Sequence, residues 1–191
     1  MPNYRRWFVP GATYFFTLVT ENRVPLFAGE IARANLRTAI AECRQRWPFE
    51  LNAIVLLPEH LHMLWTLPGG DVDFPRRIAW IKRAFTQDWL LAGGAEQPMT
   101  DSRQHRRRRG VWQRSFWEHT IRDDTDFGRH LDYIHYNPVK HGLVTCPHQW
   151  SFSSFQQWIE RGVYAIEWGC ACGARKPAAI TFADLDKTAM E

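Results

Sequence analysis

Pro58-Glu59-His60-Leu61-His62-Met63-Leu64 sets two histidines on either side of one apolar residue, inside a run that otherwise reads as a β-strand. Successive side chains of a strand point to opposite faces, so His60 and His62 project together from one face of a sheet while Leu61 and Met63 project from the other. Two imidazoles side by side make two-thirds of a metal site. The bare pattern is short, and it also fits a pair of hydrogen-bonded structural histidines. The run 60–67 is preceded by another apolar, β-branched run, 49–57, and the two are joined only through Pro58-Glu59. That spacing predicts neighbouring strands with a very tight connection.

Working outward, residues 12–20 alternate aromatic and polar side chains and are rich in Thr, Tyr, Phe and Val, a strand pattern. Residues 31–47 carry apolar side chains near helical spacing with arginines between them, and Pro48 closes the segment. Ile78, Ile81, Phe85 and Trp89 give residues 74–91 a helical period, with Pro75 suited to a first turn. A fourth strand is predicted over 116–121, and a further helix begins at Asp123 or Asp124, both good N-caps. The order β-α-β-β-α-β followed by a helix predicts an α+β fold, the ferredoxin-like split βαβ arrangement of an antiparallel sheet with helices on one face. Residues 1–168 read as a single domain, with an aromatic helical segment at 150–159, and residues 169–191 as a loosely attached tail. Between the second helix and fourth strand, residues 93–110 form a polar loop that ends in Arg106-Arg107-Arg108-Arg109. Like charges in a block repel, so the loop reads as a solvated segment able to meet phosphates.

At 191 residues, with 45% hydrophobic residues, ten Trp and twelve Phe, the chain suffices for one sizeable core. Its formal charge is +4, and of its 24 basic residues only Lys82, Lys140, Lys176 and Lys187 are lysines. The arginine bias points to nucleic acid, because the planar guanidinium pairs bidentately with phosphate and stacks on bases. The apolar run 14–19 is interrupted by Thr17 and too short for a signal sequence or membrane span, so a cytoplasmic, nucleoid-associated protein is expected. Cys43, Cys146, Cys170 and Cys172 read as free thiols: Cys170-x-Cys172 is narrower than the usual zinc spacing and a second cysteine pair is absent.

The decisive second feature is Leu131-Asp132-Tyr133-Ile134-His135-Tyr136-Asn137-Pro138-Val139-Lys140-His141-Gly142. On a helix Tyr133 and Asn137 stand at i and i+4, on one face and one turn apart. A phenol is a nucleophile and an amide oxygen a hard ligand. Tyr136 is three residues from Tyr133, and the helical wheel alone does not exclude it. With the histidine pair this segment resembles the single-tyrosine HUH nucleases. Further words narrow the resemblance to the REP-associated tyrosine transposases: Tyr4-Arg5-Arg6, Leu57-Pro58-Glu59-His60-Leu61-His62, Trp65-Thr66-Leu67-Pro68, Phe116-Trp117-Glu118-His119, Asp132-Tyr133-Ile134 and Asn137-Pro138-Val139-Lys140-His141-Gly142. It spans residues 4–168. Departures are confined to the 93–110 loop, which is long, and to the Cys170 and Cys172 region.

The resemblance implies the HUH variant of the ferredoxin-like plan. It also implies His60, His62 and Asn137 as ligands of Mg2+ or Mn2+, although imidazole by itself favours a later transition metal. Tyr133, four residues before the asparagine, is then the nucleophile, forming a 5′-phosphotyrosine with single-stranded DNA at repetitive extragenic palindrome hairpins. His130, at i−3, and a metal-bound hydroxide are the candidate bases. Asn3, Tyr4, Arg5 and Arg6 are expected to read unpaired bases, and Arg106, Arg107, Arg108 and Arg109 to bind phosphates. The implied assembly is a monomer, with a dimer as the alternative. A domesticated, non-catalytic regulator that binds DNA or RNA hairpins and a hydrolase using water are the competing functions.

Overall fold

A computed structural model describes residues 7–98, 109–172, 182 and 185. The strands are β1 (Thr13–Val19), β2 (Glu50–Leu56), β3 (His60–Thr66) and β4 (Trp117–Thr120). The helices are α1 (Glu30–Arg46), α2 (Phe74–Leu91), α3 (Asp124–Lys140) and α4 (Phe155–Glu160). All strands pair antiparallel in the order β2-β3-β1-β4, which is the predicted split βαβ sheet. The Pro58-Glu59 connection is closed by the Leu57 amide donating to the His60 carbonyl over 2.8 Å.

Both faces of this sheet are covered, so its central strands are buried on alternate residues of either side. Tyr14, Phe16 and Leu18 of β1 and Leu61, Met63 and Trp65 of β3 pack under α1 and α2. Phe15 and Leu64, with Ala53 and Val55 of β2, pack under α3 and α4 instead. The expectation of helices on one face holds for α1 and α2, and α3 lies on the opposite face. Period-2 alternation puts His60 and His62 on the face that α3 covers. β1 and β3 are buried on both sides because both sides have a helix to meet.

Helix α3 starts where the sequence indicates, the Asp123 side chain accepting the Asp126 amide at 2.8 Å. It runs through Pro138 to Lys140, past the point where a proline disfavours helix in the residue before it. The helix at 150–159 is shorter than predicted. Trp150 instead sends its indole Nε1–H to the Leu56 carbonyl (2.9 Å) at the outer edge of β2, and only 155–160 are helical.

Candidate active site

β3 and α3 build the site between them. The His60 and His62 rings lie 4.9 Å apart and both residues are fully buried. Each ring is oriented through Nδ1. His60 Nδ1–H donates to the Glu59 carboxylate at 2.9 Å, and His62 Nδ1 shares a 2.9 Å hydrogen bond with the Thr17 hydroxyl across the β1–β3 pair. A carboxylate on Nδ1 fixes the tautomer that keeps the lone pair on Nε2, the orientation typical of a metal-ligating histidine. The hydrogen bond from His60 holds the Glu59 carboxyl below the usual carboxylate range. Arg23, on a left-handed backbone (φ 52), stands 3.7 Å from the same carboxylate.

From the helix side, Tyr133 is fully buried with its ring 5.2 Å from that of His62. The Lys140 ammonium donates to the Tyr133 hydroxyl over 3.4 Å and lies 5.1 Å from the ring centre. Asn137 is also fully buried, one turn on, and its carbonyl accepts the His141 amide (3.0 Å). The His141 ring reaches to 5.3 Å from His60. Burial, then the neighbouring His60, Lys140 and His141, hold His62 well below the ordinary histidine range. Burial and His60 lower His141 to about 4. Both rings are therefore neutral near pH 7, the state in which an imidazole binds a metal.

The donor set fits a divalent cation: two imidazoles from one strand, His62 among them held neutral, and a buried amide from the facing helix, with Glu59 in support. His141, Lys140, Glu59 and Thr17 were not singled out by sequence reasoning. His141 has a legible signal, since the i+4 step from Tyr133 to Asn137 repeats once more to reach it.

Tyr136 faces elsewhere, its ring 6.3 Å from Trp168 and 6.1 Å from Phe182. Phe182 also meets Tyr133 edge-on at 5.3 Å. His130 is drawn to the β4 side of the helix. It contacts the Asp126 carboxylate (3.1 Å), which also holds His119 at 2.7 Å, and its Nδ1–H donates to the Asp126 carbonyl (2.8 Å). Burial lowers His130 to about 4, a weak base. Beside it an open cleft of about 390 Å3 is lined by Arg122, Arg129, Trp117 and His119.

Of the predicted DNA contacts, Asn3, Tyr4, Arg5, Arg6, Arg106, Arg107 and Arg108 lie outside the described residues. Arg109 pairs bidentately with Glu96 (2.6 Å for each bond), and the Gly110 amide donates to the same carboxylate, which clasps the base of the 93–110 loop.

The transposase IS200-like family profile matches residues 8–137, which contain both histidines, the tyrosine and the asparagine. A Haemophilus influenzae relative described as a REP-associated tyrosine transposase is 43% identical over 88% of this chain and 94% of its own. The REP-associated tyrosine transposase of Escherichia coli K12 is 41% identical over 88% of this chain and 91% of its own. A solved structure of a REP-associated tyrosine transposase bound to a REP hairpin superposes with a TM-score of 0.74 at 39% identity, covering 95% of this chain and 99% of that one. The chain belongs to the IS200-like transposases and, among them, to the REP-associated tyrosine transposases.

Proposed function

We propose that this protein cuts and rejoins single-stranded DNA at the foot of small palindromic hairpins through a covalent bond to Tyr133. The observation that carries the reading is the Tyr133 phenol packed 5.2 Å from His62, on the sheet face that also bears His60. The hairpin in the solved relative supports the class of DNA. The Tyr133 oxygen attacks the phosphorus, a tyrosyl–phosphate bond forms, and the bond to the 3′ oxygen breaks. The phenol loses one proton and the departing 3′ oxygen takes one, so no net proton is consumed. Lys140, already at the phenol, stabilises the phenolate as its proton leaves. The phosphodiester energy is kept in the aryl ester, so rejoining to another 3′-hydroxyl needs no nucleotide cofactor.

His60, His62 and Asn137 would hold the cation, Mg2+ or Mn2+ in this reading, with Glu59 and Thr17 fixing the two rings. Such a cation polarises a phosphoryl oxygen and neutralises developing charge.

The test is incubation with 3′-labelled single-stranded hairpins taken from the DNA flanking its own gene, with Mg2+, Mn2+ or chelator. An SDS-resistant protein band carrying the label, and dependent on the metal, is expected. Tight hairpin binding with no adduct under any metal would instead identify a regulator that only binds, and cleavage with no adduct a hydrolase using water.

A further inference from the structure

Three cysteines and a histidine, drawn from two segments 22 to 26 residues apart in sequence, converge behind the tyrosine helix. Cys146 and His148 sit on the short turn around Pro147–Gln149. Cys170 and Cys172 lie on the stretch of chain that runs back alongside it, the Ala171 amide donating to the Thr145 carbonyl over 2.7 Å. The Gln149 side-chain oxygen accepts from the Thr145 amide, the Thr145 hydroxyl and the Cys146 amide, each at 3.1 Å, which fixes the backbone of the first segment. One ligand atom from each of Cys146, His148 and Cys170 lies within 4.8 Å of the others. Cys146 Sγ is 2.9 Å from Cys172 Sγ, and Cys170 Sγ is 3.8 Å from His148 Nδ1.

We propose that Cys146, His148, Cys170 and Cys172 bind one structural Zn2+. Zinc in a tetrahedral site takes sulfur at about 2.3 Å and nitrogen at about 2.0–2.1 Å, which sets neighbouring ligand atoms roughly 3.5–4 Å apart. The 3.8 Å between Cys170 Sγ and His148 Nδ1 falls in that range, whereas Cys172 joins the other three through its 2.9 Å contact with Cys146 Sγ, which an entering ion would widen. Thiolate and imidazole donors without a carboxylate select zinc over magnesium, manganese or calcium. Four protein ligands close the coordination sphere and leave no position for water or a phosphate, so the site is one of folding rather than catalysis. On binding, the three thiols release their protons to solvent and the four lone pairs go to the metal, with no change of oxidation state.

The placement says what the ion secures. Gly169, directly before Cys170, is left-handed (φ 68), and a Cβ there would stand 3.1 Å from the Tyr136 ring and 3.2 Å from Pro147. The metal-bound segments therefore lie flush against α3, close to one turn from Tyr133, and cross-link the chain after α4 to the end of that helix.

The full-length chain, purified under reducing conditions without chelator, is the material for the test. Elemental analysis should find one zinc per chain. Replacement by Co2+ should give the visible bands of a tetrahedral ion together with thiolate-to-cobalt charge transfer, a signature that a His60–His62–Asn137 site cannot produce. Cys172→Ser and Cys170→Ser should lose the stoichiometry, and His148→Cys should keep it as an all-sulfur site. Reduced, folded protein that takes up no zinc when given one equivalent overturns the proposal. So does an intact mass showing a Cys146–Cys172 disulfide in metal-free protein that resists reduction. These readouts do not involve DNA cleavage, so the zinc site stands or falls independently of the nuclease reading.

Discussion

At the residue scale, the two tyrosines of α3 are separated by environment rather than by chemistry. Tyr133 stands between His62 and Lys140, whereas Tyr136 packs on Trp168 and Phe182. Tyr133→Phe deletes one hydroxyl and no arginine, so adduct formation should fall by more than about a thousandfold while hairpin affinity stays within about twofold. Tyr136→Phe should leave adduct formation within about tenfold of normal. A gel of labelled adduct and a binding titration on the same preparations check both, and adduct surviving in Tyr133→Phe but abolished in Tyr136→Phe would transfer the role. For His60→Ala and His62→Ala the expectation is loss of metal-dependent cleavage at ordinary Mg2+, with the fold retained by circular dichroism. Full activity in either variant at unchanged metal concentration would make that histidine structural. Glu59→Gln keeps a hydrogen-bond acceptor for His60 but removes the charge, so it should weaken metal dependence by about 10–100-fold, the usual size of a change behind a ligand.

At the element scale, much of the molecule was legible because each element has one dominant period. His60-Leu61-His62-Met63 alternates, and the alternation alone put both histidines on one face; Tyr133 and Asn137 share a face for the corresponding helical reason. What escaped had no local signal. Nothing in the sequence told that α3 covers the sheet face opposite α1 and α2, since β1 and β3 place large apolar side chains on both faces. Pro138 hid the last turn of α3, and with it the place of Lys140 beside the Tyr133 hydroxyl. The free-thiol reading of Cys170-x-Cys172 rests on its narrow spacing and the lack of a second cysteine pair, and nothing local brings Cys146 and His148, more than twenty residues earlier, beside it. The junction of β4 and α3 carries a pH prediction. His130, lowered to about 4 mainly by burial, is neutral in the folded protein, while the unfolded chain takes up its proton near pH 6.5. Stability from this group is complete above about pH 6.5, falls as pH drops from there toward 4, and changes no further below; the span is at most about 3 kcal/mol. Asp126, held below its usual range despite burial by the His119 hydrogen bond, adds a loss only at still lower pH. Thermal unfolding at pH 7, 5.5 and 4.5 should therefore show a shallower acid loss for His130→Gln than for the wild type. Parallel curves would mean that the other buried histidines carry the acid response.

At the scale of the whole molecule, the face proposed to be catalytic and the basic surface are separate. His60, His62 and Tyr133 meet between β3 and α3, while an open groove of about 570 Å3 lined by Lys82, Arg83, Arg109, Arg114 and Trp112 runs along α2 at the base of the 93–110 loop. Because Arg109 is committed to Glu96, the arginines available to phosphate in this region are Arg83 and Arg114 of the groove, together with Arg106, Arg107 and Arg108 by sequence. Phosphate contacts carry no sequence information, whereas contacts to unpaired base edges do. Changing Arg106, Arg107 and Arg108 to serine should weaken cognate and scrambled hairpins by similar factors. It should also reduce the slope of log affinity against log salt by about 0.7 for each single-strand phosphate that these arginines neutralise. Cleavage at saturating DNA should survive, since a phosphate contact that supplies only affinity is not needed once the DNA is bound. Replacing Arg5 and Arg6 should instead penalise the cognate foot sequence selectively. Arg109→Ser should differ from its three neighbours, because it opens the clasp on Glu96 and frees that carboxylate to repel DNA; it should lower affinity for every hairpin, and Glu96→Gln in the same chain should recover part of the loss. Titrations of cognate and scrambled strands at two salt concentrations measure all of these. Cognate-only weakening in the triple serine variant would make the loop a reader of sequence, and no rescue by Glu96→Gln would place Arg109 on the DNA itself.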